Sequence, residues 1–213
     1  MSEQQPHYFD ADPAAPARAR ELSLDLDGRA VRVRTAAGVF SGDRLDPGTA
    51  VLLRSATDVP AGGDLLDLGC GWGPLALALA ARAPAATVWA VDVNARARAL
   101  TAENAALNGL TNVRVAAPED VDPALRFAAV WSNPPIRIGK AALHDLLRLW
   151  LPRLATGGHA DLVVQRNLGA DSLHRWLADG LDDPAGLGAH LATTRLASSK
   201  GYRVLRVRRD VSG

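Results

Sequence analysis

Short apolar segments alternate with segments of helical periodicity along most of the chain. The strand-like segments lie at 64–68, 87–91, 113–116, 127–132 and 159–164. The helix-like segments lie at 74–82, 95–108, 140–154 and 171–178. A strand followed by a helix and then another strand is typical of parallel strands joined by crossover helices. The pattern therefore predicts an α/β fold with a mostly parallel sheet.

The N-terminal segment has a different pattern. Polar and apolar residues alternate at 22–26 and at 31–34, on either side of Asp27-Gly28, which predicts a β-hairpin. We therefore divide the chain into an N-terminal arm and β-hairpin extension, residues 1–57, and a main domain, residues 58–213.

Three further elements are predicted from local signals. Residues 50–55 have an apolar pattern that fits a short helix, and residues 201–209 fit a closing strand. Glycines mark helix ends. On that basis the helix over 95–108 ends at Asn108-Gly109, and the helix over 140–154 ends at Gly157-Gly158.

A glycine-rich turn follows the first strand of the alternating region. Gly69, Gly71 and Gly73 lie between this strand and a helix that starts at Pro74. Glycines let the backbone approach a ligand closely, and a helix N-terminus offers free N–H groups. The third glycine of the dinucleotide fingerprint comes one residue later, so this spacing argues against NAD or FAD.

An acidic residue ends the next strand. Asp92 lies about twenty residues beyond the glycine turn, the separation at which a carboxylate meets the hydroxyls of a bound ribose. Together with Asp67 and the glycines, it forms the pattern of a nucleoside-binding site. The alternative is that Asp92 caps the helix that starts at Ala95, and the two roles are compatible.

The segment Asn133-Pro134-Pro135-Ile136 follows the apolar strand at 127–132. It places one amide side chain at the carboxyl edge of the sheet, followed by two prolines that cannot donate a backbone hydrogen bond. A stiff environment rich in hydrogen-bond acceptors suits an exocyclic amino group, which has two N–H donors. The tetrapeptide alone is equally consistent with a strand-ending turn.

The composition excludes several classes of protein. The 213 residues suffice for one ordinary domain with a modest extension. No apolar run is long enough to span a bilayer and no leader is evident, so we expect a cytoplasmic protein without membrane contact. The single cysteine, Cys70, rules out a disulfide framework and is interpreted as a small filler. The five histidines lack metal-ligand spacing, so no metal site is predicted.

Positive charge collects in the C-terminal half, although the net charge is only +1. Residues 1–66 carry seven arginines against ten aspartates and glutamates, a net of −3. Residues 123–170 carry six lysines and arginines against two aspartates, a net of +4, and the tail from Ser198 carries five against one, again +4. A basic rim near Asn133 fits phosphate contacts, although solvation alone is the commoner explanation for a single arginine.

Together these motifs resemble those of the class I S-adenosylmethionine-dependent methyltransferases. Within that fold the chain resembles the small-subunit (16S) ribosomal RNA guanine-N2 methyltransferases, both their catalytic domain and their single-domain relatives. The resemblance covers most of the chain and is carried by residues 38–41, 46–49, 67–73, 133–137, 139–140, 165–170 and 199–205. The glycine turn is specific to the fold, and Asn-Pro-Pro is specific to amino-group methylation.

The resemblance implies a Rossmann-like fold: a mostly parallel seven-stranded sheet with helices on both faces, plus the N-terminal β-hairpin. It also implies S-adenosyl-L-methionine as the cofactor, with its methionine end at Asp67 and the glycines and its ribose at Asp92. The implied cofactor-binding residues are Phe40, Asp67, Gly69, Cys70, Gly71, Asp92, Val93, Ala117 and Asn133. The implied catalytic residues are Asn133, Pro134, Pro135 and Ile136.

Two positions depart from the family's usual residues. Many members place an acidic or amide residue near the adenine amino group where this chain has Ala117, and either Glu119, Asp120 or a backbone contact is expected to replace it. Amino methyltransferases often have Tyr or Phe after Asn-Pro-Pro to stack on the target. Ile136 at this position offers apolar contact without a π-face.

The function implied is methyl transfer to an exocyclic amino group, with guanine N2 of small-subunit ribosomal RNA as the favoured target. The expected partner is ribosomal RNA or a precursor of the small ribosomal subunit, and the chain is expected to act as a monomer. Two alternatives remain open. One is methylation of a glutamine side chain in a protein, because a carboxamide offers the same two donors. The other is a non-catalytic RNA-binding assembly factor that retains the cofactor pocket.

Overall fold

The computed structural model describes residues 20–26, 28–35, 45–181 and 190–210. The strands in these ranges are β1 (Arg20–Leu26), β2 (Arg29–Thr35), β3 (Asp64–Leu68), β4 (Thr87–Val91), β5 (Val113–Ala116), β6 (Phe127–Ser132), β7 (Leu154–Gln165), β8 (Leu191–Ser199) and β9 (Tyr202–Arg209). The helices are α1 (Pro47–Ser55), α2 (Pro74–Arg82), α3 (Ala95–Leu107), α4 (Lys140–Trp150) and α5 (Ala170–Ala178).

Seven of the strands form one sheet in the order β5-β4-β3-β6-β7-β9-β8. The strands from β5 to β7 in this order pair in parallel. Strand β9 pairs antiparallel with β7, and β8 pairs antiparallel with β9. Strands β1 and β2 form a separate antiparallel hairpin. The predicted α/β fold, with a mostly parallel seven-stranded sheet and an N-terminal hairpin, is confirmed.

Helices cover both faces of this sheet. Successive side chains of a strand point to opposite faces. In β3, Leu65 packs in a cluster with α1, α2 and α3, whereas Leu66 packs in a cluster with α4 and α5. Both leucines are fully buried. The burial of both faces explains why the central strands are mainly apolar and do not alternate.

The hairpin packs against α3 through two asparagine side chains. Asn104 accepts a hydrogen bond from the backbone N–H of Arg34 at 2.6 Å and donates one to the carbonyl of Arg34 at 2.9 Å. Asn108 pairs with the backbone of Arg32 in the same way, at 3.1 and 2.7 Å. Each amide therefore replaces a neighbouring strand and satisfies backbone groups along the edge of β2.

Helix α4 is shorter than the sequence pattern predicts. The helix predicted from residue 140 is present, but its predicted end at 154 and Gly157-Gly158 is wrong: α4 ends at Trp150 and both glycines lie within β7. Pro152 accounts for the early end, because proline lacks the N–H that continues a helix. A Cβ at Gly158 would lie 2.9 Å from a carbonyl oxygen of β6, where the register between β6 and β7 shifts. The glycine pair therefore marks an irregularity in the sheet.

Strand β8 is the element that the sequence pattern does not predict. It lies at the edge of the sheet beside β9, and its side chains are half-buried or exposed. Its serine, threonine and arginine residues replace the continuous apolar run that identifies the interior strands. The closing strand predicted at 201–209 is confirmed, because β9 begins at Tyr202 and ends at Arg209.

Candidate active site

Three predicted site residues lie along the carboxyl edge of the parallel strands. Asp67 belongs to the central strand β3, Asp92 follows β4 on one side, and Asn133 follows β6 on the other side. The strands that follow β3 in the chain thus lie on both sides of it: β4 and β5 on one side, and β6 and β7 on the other. Such a divergence is where open α/β sheets form their ligand-binding crevices.

The turn between β3 and α2 has a backbone that requires glycine. Gly69, Gly71 and Gly73 have φ angles of 77°, 59° and 94°, all in the left-handed region that side chains disfavour. A Cβ at Gly73 would lie 2.9 Å from the methyl group of Thr101, so α3 packs directly on the turn. No atom lies within 4 Å of a Cβ built at Gly69, which leaves room there for a ligand to approach the backbone.

Asp92 holds the glycine turn and the start of α3 together. Its Oδ2 accepts a hydrogen bond from the N–H of Gly71 at 3.0 Å, and its Oδ1 accepts one from the N–H of Asn94 at 2.9 Å. The alternative role of Asp92 as the cap of α3 is wrong, because Asn94 is the capping residue and accepts from the N–H groups of Arg96 and Ala97. Asp92 lies directly after β4, the position at which a carboxylate meets the hydroxyls of a bound ribose.

Asp67 is a fully buried carboxyl group with one unpaired oxygen. Its Oδ2 accepts a hydrogen bond from the N–H of Ala76 at 2.8 Å, whereas its Oδ1 has no hydrogen-bond partner in the described chain. Burial raises the pKa of Asp67 to about 8; the bond from Ala76 lowers it, and the nearby charge of Asp92 raises it further. A buried acceptor without a partner is costly. Asp67 is therefore suited to a ligand that brings a donor or a positive charge.

Cys70 is enclosed in the glycine turn. Its Sγ accepts a hydrogen bond from the hydroxyl of Thr101 at 3.5 Å. Burial and the neighbouring carboxylates of Asp67 and Asp92 raise the pKa of the Cys70 thiol well above its ordinary value. A buried thiol with a raised pKa is a poor nucleophile, which agrees with its interpretation as a filler.

The side-chain amide of Asn133 is held in one orientation. Its Nδ2 donates one hydrogen bond to Oδ1 of Asp46 at 2.7 Å and another to the hydroxyl of Thr49 at 3.1 Å. Asp46 and Thr49 belong to the start of α1, and Thr49 is buried. Both N–H donors of the amide are thus used, and no residue of the described chain donates to its Oδ1.

The two prolines after Asn133 form a tight turn. Pro135 has φ −74° and ψ 73°, the conformation of an inverse γ-turn. The carbonyl of Pro134 accepts the N–H of Ile136 at 2.8 Å across this turn. A carbonyl oxygen has two lone pairs, so one remains available to a ligand.

Ile136 borders a cavity of about 160 Å³ between α4 and α5. The remaining lining residues are Lys140, Leu143, His144, Val164, Leu168, Gly169, Ser172 and Leu173. His144 stacks on Trp176 with a ring separation of 3.6 Å. The side chain after Asn-Pro-Pro therefore faces a mainly apolar cavity.

Two of the remaining predicted cofactor residues, Val93 and Ala117, follow strands on the same side of β3. Val93 follows β4 and is exposed at 52 %, which is unusual for a large apolar side chain. Ala117 follows β5 and is buried, and the acidic side chains of Glu119 and Asp120 in the next turn are exposed. Phe40 lies outside the described residues.

Two residues of this site were not predicted as site residues from the sequence, namely Asp46 and Thr49. The segment 46–49 contributes to the family resemblance, and an aspartate before Pro47 is a recognisable helix cap. Nothing in the local sequence connects this cap with Asn133, because the two are 87 residues apart.

No helix in the described ranges is both long and apolar enough to cross a membrane. No cluster of histidine, cysteine and acidic residues suitable for a metal ion was found among the described side chains.

Comparisons with known proteins agree on one family. The sequence profile of the methyltransferase small domain matches residues 30–206. An uncharacterised protein of Bacillus subtilis, YbxB, is 31 % identical over 206 residues, which are 95 % of this chain and 98 % of that protein. Ribosomal RNA small subunit methyltransferase C of Pseudomonas paraeruginosa is 37 % identical over 205 residues, which are 93 % of this chain but 57 % of that enzyme.

A solved structure gives the same result for the fold. The 16S rRNA N2 methyltransferase RsmC of T. thermophilus, solved with AdoMet and guanosine, aligns with a TM-score of 0.72 at 24 % identity and covers 92 % of this chain and 52 % of that one. The chain thus spans little more than half the length of the methyltransferase C relatives. The family profile, the relatives and the fold agree with the motifs in the sequence, and the chain belongs to the methyltransferase small domain family.

Proposed function

We propose that this protein transfers a methyl group from S-adenosyl-L-methionine to guanine N2 of small-subunit ribosomal RNA. The observation that carries the proposal is the orientation of the Asn133 amide, whose NH₂ group is bound by Asp46 and Thr49. Its Oδ1 is thereby presented at the carboxyl edge as a hydrogen-bond acceptor. Guanine N2 has two N–H groups, and the second can be accepted by the free lone pair of the Pro134 carbonyl.

The residues around the glycine turn fit the methionine end of this cofactor. Asp67 Oδ1 is buried without a partner, and an ammonium group would supply both the donor and the charge that it lacks. Gly69 leaves space for a ligand beside the backbone. Asp92 lies directly after β4, where a carboxylate can accept hydrogen bonds from ribose hydroxyls. The bound cofactor supplies a methyl group that is already electrophilic, so no side chain has to act as a nucleophile.

The contribution of Asn133 is to orient and polarise the amino group. The lone pair of an exocyclic amino nitrogen is delocalised into the base. Hydrogen bonds to Asn133 Oδ1 and to the Pro134 carbonyl favour a pyramidal nitrogen with its lone pair free for transfer. They also stabilise the positive charge that develops on the nitrogen. The proton that must leave afterwards is strongly acidic and can pass to water.

Basic side chains near this edge support an RNA substrate. Arg137 and Lys140 follow the Asn-Pro-Pro turn, and Arg166 and Lys200 lie close together because the N–H of Arg166 donates to the carbonyl of Gly201 at 2.8 Å. The four basic side chains are exposed, and none forms an ion pair with a described residue. Exposed cations without partners are suited to phosphate groups. An RNA substrate of this kind implies a cytoplasmic protein, and a single chain provides every residue of the proposed site.

Replacing Arg166 and Lys200 together by glutamine is expected to weaken RNA binding without changing cofactor affinity. The slope of log affinity against log salt concentration should become shallower by about 1.5, the value for two lost phosphate contacts. Fluorescence anisotropy with a labelled fragment of 16S RNA measures this slope. The matched control replaces Arg54 and Arg126, which are also exposed but lie away from the carboxyl edge. Equal losses in both double variants would show that only the total charge matters.

Label transfer tests the proposed function directly. The purified protein is incubated with tritiated S-adenosyl-L-methionine and with small ribosomal subunits from cells that lack its gene. We expect tritium in the RNA fraction, and mass analysis of the nucleosides should identify N2-methylguanosine. Tritium in the protein fraction would instead support glutamine methylation. Cofactor binding without any transfer would support a non-catalytic assembly factor.

A further inference from the structure

The amide of Asn133 is bonded to two acceptors that come from a distant part of the chain. Asp46 Oδ1 lies 2.7 Å and the Thr49 hydroxyl 3.1 Å from Nδ2 of Asn133. A carboxylate can only accept hydrogen bonds. If the amide were turned by 180°, its Oδ1 would face the carboxylate of Asp46, and two acceptors would lie in contact without a proton between them. Asp46 therefore determines which end of the amide faces the substrate.

Asp46 is itself held firmly at the N-terminus of α1. The same Oδ1 accepts the N–H of Thr49 at 2.9 Å, which makes Asp46 the cap of the helix. A Cβ at Gly48 would lie 2.9 Å from both Asp46 Oδ1 and the ring of Tyr202, so the helix start packs tightly against β9. There is little freedom for the Asp46 carboxylate to move away from Asn133.

The other end of α1 is also fixed. The guanidinium group of Arg82, at the end of α2, donates to the carbonyl of Leu53 at 2.7 Å and to the carbonyl of Ala56 at 2.8 Å. These bonds satisfy carbonyl groups that a helix C-terminus leaves free. Helix α1 is thus attached to the core at both ends, and it presents Asp46 and Thr49 to Asn133 as a rigid support.

We propose that Asp46 and Thr49 are positioning residues for methyl transfer, an inference that rests on the proposed function. They hold the Asn133 amide with Oδ1 directed toward the acceptor amine. The negative charge of Asp46 also polarises the amide across its Nδ2–H bond and increases the electron density on Oδ1. Oδ1 then becomes a better acceptor as positive charge develops on the amine nitrogen.

Substitutions at Asp46 separate orientation from charge. Asp46→Ala removes the acceptor and should lower kcat about tenfold to a hundredfold, the range for loss of a hydrogen bond to a charged group. Asp46→Asn retains an Oδ1 that can accept from Asn133 and Thr49, so kcat should fall by less than about tenfold. KM for RNA and the Kd of the cofactor should change little in both variants. Asp25→Ala is the control, because it removes a similar carboxylate-to-backbone bond in the hairpin, far from the site.

A double-mutant cycle shows whether the effect passes through Asn133. If it does, adding Asp46→Ala to Asn133→Ala should change the single-turnover rate by less than about twofold. The same fold-loss in both backgrounds would overturn the inference, and so would wild-type kcat in Asp46→Ala. If Asp46 acted only as a helix cap, Asp46→Ala would lower thermal stability. It would then reduce the single-turnover rate by the same factor in the wild-type and the Asn133→Ala backgrounds.

Nuclear magnetic resonance tests the orientation independently of activity. The side-chain NH₂ signals of Asn133 are identified by their disappearance in Asn133→Ala. In the wild-type protein they should be protected from exchange, and in Asp46→Ala this protection should be lost. Identical signals in both proteins would overturn the inference. Failure of the proposed function is distinguishable, because then no variant, including the wild type, transfers label to RNA.

Discussion

Replacing Asn133 by alanine is expected to lower kcat for methyl transfer about a hundredfold or more, by analogy with the loss of one preorganised donor from an oxyanion hole. The variant loses Oδ1, the acceptor that aligns the amino group, and the Pro134 carbonyl alone cannot fix the direction of the nitrogen lone pair. The Kd of the cofactor should change by less than about threefold, because the cofactor residues proposed around Asp67 and Asp92 stay in place. Single-turnover transfer of tritium to RNA measures the rate, and calorimetry measures the affinity.

A second asparagine supplies the matched control for this variant. Asn108→Ala also removes a hydrogen-bonded amide, but its partners are the backbone of Arg32 in β2 and the carbonyl of Asn104 in α3. It should reduce thermal stability without reducing kcat. Wild-type turnover in Asn133→Ala would contradict the role assigned to this amide and, with it, the proposed reaction centre.

The site was predictable from the sequence as far as it depends on strand ends. Asp67, Asp92 and Asn133 each come at or directly after an apolar strand, and parallel strands bring their carboxyl ends to one edge. The glycine turn was predictable for a similar reason, because only glycine adopts its left-handed backbone at low cost.

The support for Asn133 was not predictable from local sequence. Its amide is oriented by Asp46 and Thr49, and this contact exists only because the start of α1 packs beside the carboxyl edge of the sheet. The role of Asp92 was predicted in part. Its position after β4 was expected, but the capping of α3 belongs to Asn94, because a helix start depends on backbone geometry that shifts by one or two residues.

The errors in predicting the fold from the sequence have similar physical origins. Gly157-Gly158 resembles a helix end in sequence, whereas in the structure it allows close contact between β6 and β7. Strand β8 was missed because an edge strand with exposed side chains lacks an apolar run. In both cases the residue type is determined by a neighbour in the sheet, and a single sequence does not identify that neighbour.

Cofactor affinity is expected to rise about a hundredfold between pH 5.5 and 7.5. Below the pKa of a carboxyl group its ionised fraction rises about tenfold per pH unit, and the affinity rises in proportion when only the ionised form of one such group binds the cofactor. That group is Asp67, whose pKa burial raises to about 8. In the free protein it is mostly protonated throughout this pH interval, and only its ionised form pairs with the cofactor's ammonium group. The affinity therefore increases as pH rises toward about 8, the direction opposite to that for a group that must be protonated.

Calorimetry in buffers of different ionisation enthalpy provides the decisive measurement. At pH 6 cofactor binding should release close to one proton, because the carboxyl of Asp67 must ionise as the ammonium group arrives. The ordinary pKa of an α-amino group, about 7.7–8.0, keeps the cofactor cationic at this pH, so the released proton does not come from the cofactor. Asp67→Asn should bind more weakly, with an affinity that no longer depends on pH in this range and without proton release. A pH-independent affinity in the wild-type protein would place the ammonium group elsewhere and leave the unpaired Oδ1 of Asp67 without a role in cofactor binding.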